Sequence, residues 1–401
     1  MKIFEINSVP YGSTARIMLG IADLAQQNGC EVGMAAGYSY HPLREIQGRY
    51  MQVGTALGKE FHTLASRFTG LNGVYSRLAT RRLLKKIDRF APDILHLHNL
   101  HGWYLNLPML FRYIKKRRVR VVWTLHDCWA FTGHCPHFDM IGCDKWRTGC
   151  SRCPAHREYP KTYIDRSATM YKRKKDWFTG VEDMTIVTPS RWLSDLVRQS
   201  FLGAYPVRVI NNGIDLSVFR PVTSDFRAKY HCEDKRIVLG VSFGWGEKKG
   251  LDVFIKLAKR LPDDYKIVLV GTDEATDKIL PPEILSIHRT QDQAELAGIY
   301  AAAALFVNPT REENFPTVNI EALACGTPVL TFATGGSPEI IDGTCGASVA
   351  KNDADALERE ILRICTERPY PAEACRKRAE QYDAREKFAE YLSLYGERKG
   401  T

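Results

Sequence analysis

The sequence predicts an α/β protein made of two doubly wound halves, and three observations carry that prediction. Short runs of β-branched and apolar residues alternate with helix-length segments along the whole chain, the pattern of parallel strands covered by helices on both faces. A chain of 401 residues has the length of two domains. Turn-forming residues are dense near the middle, at Pro206, Asn211-Asn212-Gly213 and Pro221, which puts a boundary between residues 205 and 221.

In the first half, residues 2–7 read as a strand and Tyr11-Gly12-Ser13-Thr14 as a small-residue turn opening a helix over residues 15–27, ended by Gly29. Strands follow at residues 32–36, 94–98, 119–125 and 185–190, the last closing on Ser190 as a helix cap. The second half repeats the alternation, with strands at 236–242, 266–271, 284–288, 304–308 and 328–332 and a helix over 251–260 ahead of Pro262. Doubly wound sheets bind ligands beyond the carboxyl ends of their strands, so the expected site is the cleft between the halves.

A hydrophobic share of 44% suits ordinary buried cores. No run of about 18 apolar residues is present, and Glu5 interrupts any secretory apolar segment at the start. The expected location is cytoplasmic. Net charge is +10, and residues 1–200 carry 30 Lys and Arg against 16 Asp and Glu. The first half is therefore strongly basic and the second slightly acidic. The basic clusters of the first half are Arg81-Arg82-Leu83-Leu84-Lys85-Lys86-Ile87, Lys115-Lys116-Arg117-Arg118 and Lys172-Arg173-Lys174-Lys175. They are either solvated helix faces or a surface drawn to something acidic, such as anionic lipid on the cytoplasmic face of an inner membrane. Leu83, Leu84, Ile87 and Phe90 recur at helical spacing, as an interfacial helix or an ordinary core stripe would have them. Aromatics are not grouped with the cations as nucleic-acid platforms require, so no nucleic-acid partner is expected.

Five of the eleven cysteines fall between Cys128 and Cys153, a local insertion over residues 128–154. Cys135, Cys143, Cys150 and Cys153 could hold a structural zinc through four thiolates, or form disulfides, or remain free thiols. In the second half, Thr310-Arg311-Glu312-Glu313-Asn314-Phe315-Pro316-Thr317 follows an apolar strand and opens a helix that ends near Gly326. The amides of Thr317 and Val318 at that helix start form a ready phosphate site. Glu321, one turn further, is placed to accept from a diol such as ribose, and Glu313 in the loop from the hydroxyls of a sugar.

Glu313 and Glu321 with Ala322-Leu323-Ala324-Cys325-Gly326-Thr327-Pro328-Val329 resemble the signature of the retaining glycosyltransferases of family four. The order Asn211-Asn212-Gly213-Ile214-Asp215, Lys248-Lys249-Gly250-Leu251-Asp252, the glutamate pair, then Gly335-Gly336-Ser337-Pro338-Glu339 extends the resemblance over nearly the whole chain. His126-Asp127-Cys128-Trp129 with the cysteine cluster is similar to the colanic acid and capsular polysaccharide branch. The resemblance implies a GT-B fold: a Rossmann-like acceptor domain over residues 1–204, a Rossmann-like nucleotide-sugar domain over 205–375, and a helix in 376–401 returning to the first.

It also implies roles. Glu321 would hold the ribose, Glu313 the transferred sugar, and Lys249 with Lys248 the diphosphate of a UDP- or GDP-sugar. Asn314, Phe315, Pro316, Thr317 and Val318 would line the donor, Gly12 would let backbone approach it, and His126 would stand beside its sugar. The acceptor would be a glycan or polyprenyl-linked oligosaccharide at a membrane surface, and no cofactor is required for catalysis. The family's arginine about five residues before the lysine is missing, where this chain has Phe243-Gly244-Trp245. A nucleotide-sugar epimerase on the same scaffold and a zinc-ribbon nucleic-acid binder are the alternatives.

Overall fold

The computed structural model describes residues 1–40 and 48–397; residues 398–401 of the predicted C-terminal segment lie outside them. The chain divides into unit 1, Met1–Asn211 with Lys387–Thr401, and unit 2, Asn212–Glu386. Unit 1 runs β1 (Lys2–Asn7), α1 (Gly12–Gln27), β2 (Glu31–Gly37), β3 (Met51–Val53), α2 (Ala56–Thr69), α3 (Arg77–Phe90), β4 (Ile94–Leu97), α4 (Leu107–Arg117), β5 (Arg120–Thr124), α5 (Ser167–Phe178), β6 (Met184–Thr188), α6 (Arg191–Arg198) and β7 (Val207–Val209). Unit 2 runs α7 (Phe226–Lys229), β8 (Arg236–Val241), α8 (Leu251–Ala258), β9 (Tyr265–Val270), α9 (Glu274–Asp277), β10 (Ile284–Ile287), α10 (Gln293–Ala302), β11 (Leu305–Asn308), α11 (Thr317–Ala324), β12 (Val329–Phe332), α12 (Ser337–Ile340), β13 (Gly346–Val349), α13 (Ala354–Glu367) and α14 (Ala372–Glu380). Helix α15 (Ala384–Gly396) begins in unit 2 and contributes most of its length to unit 1.

Both sheets are parallel, in the order β3-β2-β1-β4-β5-β6-β7 and β10-β9-β8-β11-β12-β13. The two Rossmann-like α/β halves read from the sequence are therefore present. The central strands read as continuous apolar runs because helices cover both faces: Ile94–Leu97 and Leu305–Asn308 are buried at every position. Local chemistry sets the helix starts. Ser190 accepts from the Leu193 amide to cap α6, and Thr55 from the Gly58 amide to cap α2, which ends on Gly70 in the left-handed conformation.

In unit 1, Phe111, Trp123 and Phe178 pack ring against ring beneath the sheet. On another face, α15 lays Tyr391, Leu394 and Tyr395 over Ile3, Ile94 and Val122 in one cluster. Arg120 fastens α15 by donating to the carbonyls of Leu394 and Tyr395 at 2.7 and 2.8 Å. The apolar face of α3 belongs to the core, since Leu83 and Ile87 are fully buried and Phe90 packs edge-on against Phe4. Of the two readings open for that helix, the core stripe is the one observed.

Candidate active site

In unit 2 the site is built around the loop between β11 and α11. Lys248 and Lys249 sit in a 3-10 turn (Glu247–Lys249) that ends at Gly250, whose φ of +75° and close approach to the Pro309 carbonyl leave no room for a side chain. That contact presses the lysine turn against the loop. Arg311 N–H and Thr310 Oγ1 both donate to the Lys248 carbonyl, at 2.8 and 3.2 Å. Lys249 Nζ then lies 2.7 Å from Glu313 Oε2, and Lys248 Nζ 3.1 Å from Glu312 Oε2. The Lys249–Glu313 pair is half-buried, so the two charges are desolvated enough to matter and open enough to exchange partners.

The loop is held from three other directions. Arg311 forms a fork on Asp252 of α8, at 2.6 and 2.8 Å, and donates to Asn352 Oδ1 at 2.7 Å. The hydrogen bonds to Arg311 hold the Asp252 carboxyl below its usual range despite partial burial. Asn212 Nδ2 donates to the Phe315 carbonyl at 3.2 Å, bringing the Asn-Asn-Gly turn to the same place. Gly335, at φ +56°, lies so close beneath Glu313 that a Cβ would stand 1.9 Å from the Glu313 oxygen, and Gly336 N–H donates to the Asn314 carbonyl at 2.8 Å. Four segments far apart in sequence therefore meet at one loop.

Pro316 occupies the N-cap position of α11, and no side chain caps that helix. The first-turn amides of Thr317 and Val318 are not consumed by a capping side chain, an arrangement with which a helix start can meet an anion. One turn on, Glu321 is half-buried and accepts from the buried Tyr300 hydroxyl at 3.1 Å. Phe315 is buried against Tyr382 and Asn314 is buried as well.

In unit 1, His126 follows the end of β5, where parallel strands present ligand-binding loops. Its Nε2 is 3.2 Å from His98 Nδ1 and the two rings stack. Burial lowers the His126 pKa to about 4, with Asp127 opposing the shift, so the imidazole is neutral at physiological pH. Asp127 is itself held at about 2. Burial would raise it, and His101, at 2.9 Å, with the Trp129 amide outweighs that. Gly12 opens α1 at φ +76° with nothing within 4 Å of where a Cβ would be, an open backbone after β1. His96 and His98, at the end of β4, are both buried in the core.

The cysteine insertion forms its own small compartment. Cys135, Cys143, Cys150 and Cys153 line one cavity with His134 and Trp146. Cys135 donates to Cys153, which raises the first thiol and brings the second down to about 7. Among the described residues, the groups of three or more ligand side chains gathered within 4.8 Å do not include these cysteines, and four thiolates on one zinc stand closer than that. Lys174, counted with the basic clusters in the sequence, is instead fully buried over the Trp129 ring and donates to the Trp129 carbonyl. Burial lowers its pKa to about 7. The Arg311–Asp252 fork and Lys174 were missed in the sequence because each depends on a partner 45 or more residues away.

Comparison with known proteins places this geometry. The family described as Glycosyltransferase Family 4 matches residues 14–218, and that described as Glycosyl transferases group 1 matches residues 235–367. The putative colanic acid biosynthesis glycosyl transferase WcaC of Escherichia coli K12 is 27% identical over 98% of this chain and 99% of its own. Among solved structures, sucrose-phosphate synthase from Thermosynechococcus elongatus superimposes with a TM-score of 0.72 at 19% identity, covering 98% of both chains. Anabaena HepE in complex with UDP does so at 0.69 and 15%, covering 98% of this chain and 100% of that one. The fold shared with these structures is the two-Rossmann GT-B architecture. With half of its length matched by the first family and the fold shared throughout, the chain belongs to glycosyltransferase family 4.

Proposed function

We propose that this glycosyltransferase moves a hexose-type sugar, with retention of anomeric configuration, from a UDP- or GDP-sugar to a glycan or polyprenyl-linked oligosaccharide of a bacterial surface polysaccharide. The observation that carries the reading is the meeting of Lys249, Glu313 and the uncapped start of α11 at one loop of unit 2. The diphosphate is assigned to the α11 amides and to Lys249, with Lys248 beside it. Glu321 takes the ribose diol, and Asn314, Phe315 and Pro316 form the floor. Lys249 exchanges Glu313 for phosphate when the donor arrives, which frees the Glu313 carboxylate for the sugar hydroxyls. The nucleotide complex of HepE supports a nucleotide donor, and the name of WcaC, which gives colanic acid biosynthesis, supports a polysaccharide as product.

In the transfer, the bond from the anomeric carbon to the diphosphate oxygen breaks as the bond to the acceptor oxygen forms on the same face. The acceptor proton passes to the departing phosphate, so no protein base is required. Lys249 and the helix amides neutralise the charge that develops there, which is where electrostatic stabilisation acts most. With no arginine in the loop of Phe243-Gly244-Trp245, and Arg311 held by Asp252, the reading leans on Lys249. Neutral His126 donates to or accepts from a sugar hydroxyl rather than contributing charge.

A membrane surface as the place of work is supported by α2. Leu57, Phe61, Leu64 and Phe68 are 78%, 64%, 55% and 58% exposed, and their spacing puts them on one face of the helix. The following helix, α3, exposes Arg77, Arg81, Arg82, Lys85 and Lys86, the complement of anionic headgroups. Calorimetric titration with UDP, GDP and their sugars tests the donor reading. Glu321→Ala and Lys249→Ala are each expected to weaken nucleotide binding at least tenfold, on the order of 1.4 kcal/mol, and unchanged affinity in both would sink it. The epimerase alternative requires a free epimer from the donor alone, without acceptor.

A further inference from the structure

A second cluster of chemistry-bearing side chains lies in the core of unit 1. Glu5 of β1 and His96 of β4 are register partners, so they leave the sheet on the same face, and His98 follows two residues later on that face. Glu5 and His96 are 0% exposed and His98 1%. Glu5 Oε1 is 3.9 Å from His96 Nδ1, and Glu5 Oε2 is 3.6 Å from His98 Nε2. Both separations are too long for hydrogen bonds. Among the described residues, both carboxyl oxygens and His98 Nε2 are without hydrogen-bond partners. Three orphaned polar atoms facing one another in a buried core are costly, because each has given up its water without gaining a partner.

The surrounding hydrogen bonds aim lone pairs inward. Thr124 Oγ1 gives its one proton to the Tyr391 hydroxyl, so it accepts from His96 Nε2–H at 2.8 Å. His96 Nδ1 therefore carries the lone pair on the Glu5 side, where the Tyr395 hydroxyl donates to it at 2.7 Å. His98 presents its Nε2 lone pair in the same way when its Nδ1–H donates to His126. A metal-ligating histidine has this arrangement, with the outer nitrogen held by a second group that fixes the tautomer. One atom from each of Glu5, His96 and His98 lies within 4.8 Å of the others. Nitrogen and oxygen ligands about 2.0–2.2 Å from a tetrahedral zinc stand roughly 3.3–3.6 Å from one another, close to the separations seen. A single shared proton would satisfy one pair and leave the other oxygen bare. A divalent cation satisfies all three atoms at once.

We propose that Glu5, His96 and His98 hold a structural divalent transition-metal ion, zinc by preference, the ion taking the His96 Nδ1 lone pair from the Tyr395 hydroxyl, whose oxygen then turns to it as the fourth donor. The ligand set is nitrogen and oxygen, distinct in place and chemistry from the four cysteines. The ion would tie β1 and β4 to α15 and, through His98, fix the tautomer of His126. The inference is independent of the donor reading.

The test counts metals by mass spectrometry in the full-length chain, purified from zinc-replete culture without chelators or an affinity metal. Wild type, Glu5→Gln, His98→Gln and a Cys150→Ser, Cys153→Ser double variant are compared. One ion per chain that is lost in the first two variants and kept in the cysteine variant supports the proposal. A chain without transition metal, or metal that leaves with the cysteines, overturns it. Should the Glu5 and His98 variants fail to fold, wild type produced in zinc-depleted, cobalt-supplemented culture decides. Nitrogen and oxygen ligation gives visible bands with no thiolate charge-transfer band, whereas an intense near-ultraviolet thiolate band overturns the proposal.

Discussion

Glu313 is anchored through its backbone as well as its side chain. Gly335 supports its carbonyl from below, so Gly335→Ala places a methyl where the Glu313 oxygen stands and adds left-handed strain of about 1–2 kcal/mol. The expected outcome is a tenfold or greater loss of donor affinity by titration, with far-ultraviolet circular dichroism unchanged. Asp127 gives a pH prediction. Its folded pKa of about 2 lies below its ordinary value of 3.8, so the unfolded chain binds more protons as pH falls. The stability it contributes, roughly 2 kcal/mol, is complete well above pH 4 and disappears as pH falls through about 2. Asp127→Asn should therefore lower stability in urea at pH 7 by about that amount, and the gap to wild type should close in acid. In the sequence, Glu313 and Glu321 were legible because a helix start and a family signature coincide there. The pairing of Lys249 with Glu313 and of Lys248 with Glu312 was not, since a 3-10 turn decides which way each lysine points.

Among the elements, α3, whose apolar stripe the sequence leaves open between core and lipid surface, turns that stripe into the core, whereas α2 leaves its own exposed. Both carry apolar residues at helical spacing, and Leu83 and Ile87 of α3 look as suited to a lipid surface as Leu57, Phe61, Leu64 and Phe68 of α2. What separates them is whether the apolar stripe meets a sheet, and that depends on strands elsewhere in the chain. Replacing Leu57 and Phe61 by serine removes mostly exposed apolar area, the edge contact of Phe61 with Tyr75 being the ring packing lost, so the melting temperature should fall by no more than a few degrees. Binding to vesicles containing anionic lipid should fall at least tenfold in co-sedimentation, because each large side chain contributes on the order of 1.5–3 kcal/mol of transfer energy. Vesicle binding that survives the change would remove α2 from the membrane reading. The edge strands β3, β7 and β13 were not read from the sequence. Each is three or four residues long and only partly buried, too short for any period to register.

At the scale of the molecule, the doubly wound class was plain because strands buried on both faces have little freedom of composition, and the alternation with helices repeats throughout the chain. The return of α15 to unit 1 has a measurable weight. Tyr391, Leu394 and Tyr395 are all buried there, and Gly20 of α1 makes room for the Phe388 ring. A chain stopped after Asp383 would lose several kcal/mol from unit 1, at roughly 1.5–3 kcal/mol for each buried side chain. Calorimetry should show a lowered transition for unit 1, and an unchanged profile would show that α15 is dispensable.

That return also orders events at the ribosome. Unit 1 is synthesised first, yet its core lacks a wall until residues near Tyr395 emerge, whereas the segment of unit 2 is complete earlier. At about 5–20 residues per second, the stretch from Asn211 to Tyr395 takes roughly 10–40 seconds to make. Throughout that interval Glu5, His96 and His98 stand open to solvent on an unfinished sheet. An ion with no path into the closed core could be captured then, and the last helix would seal it in.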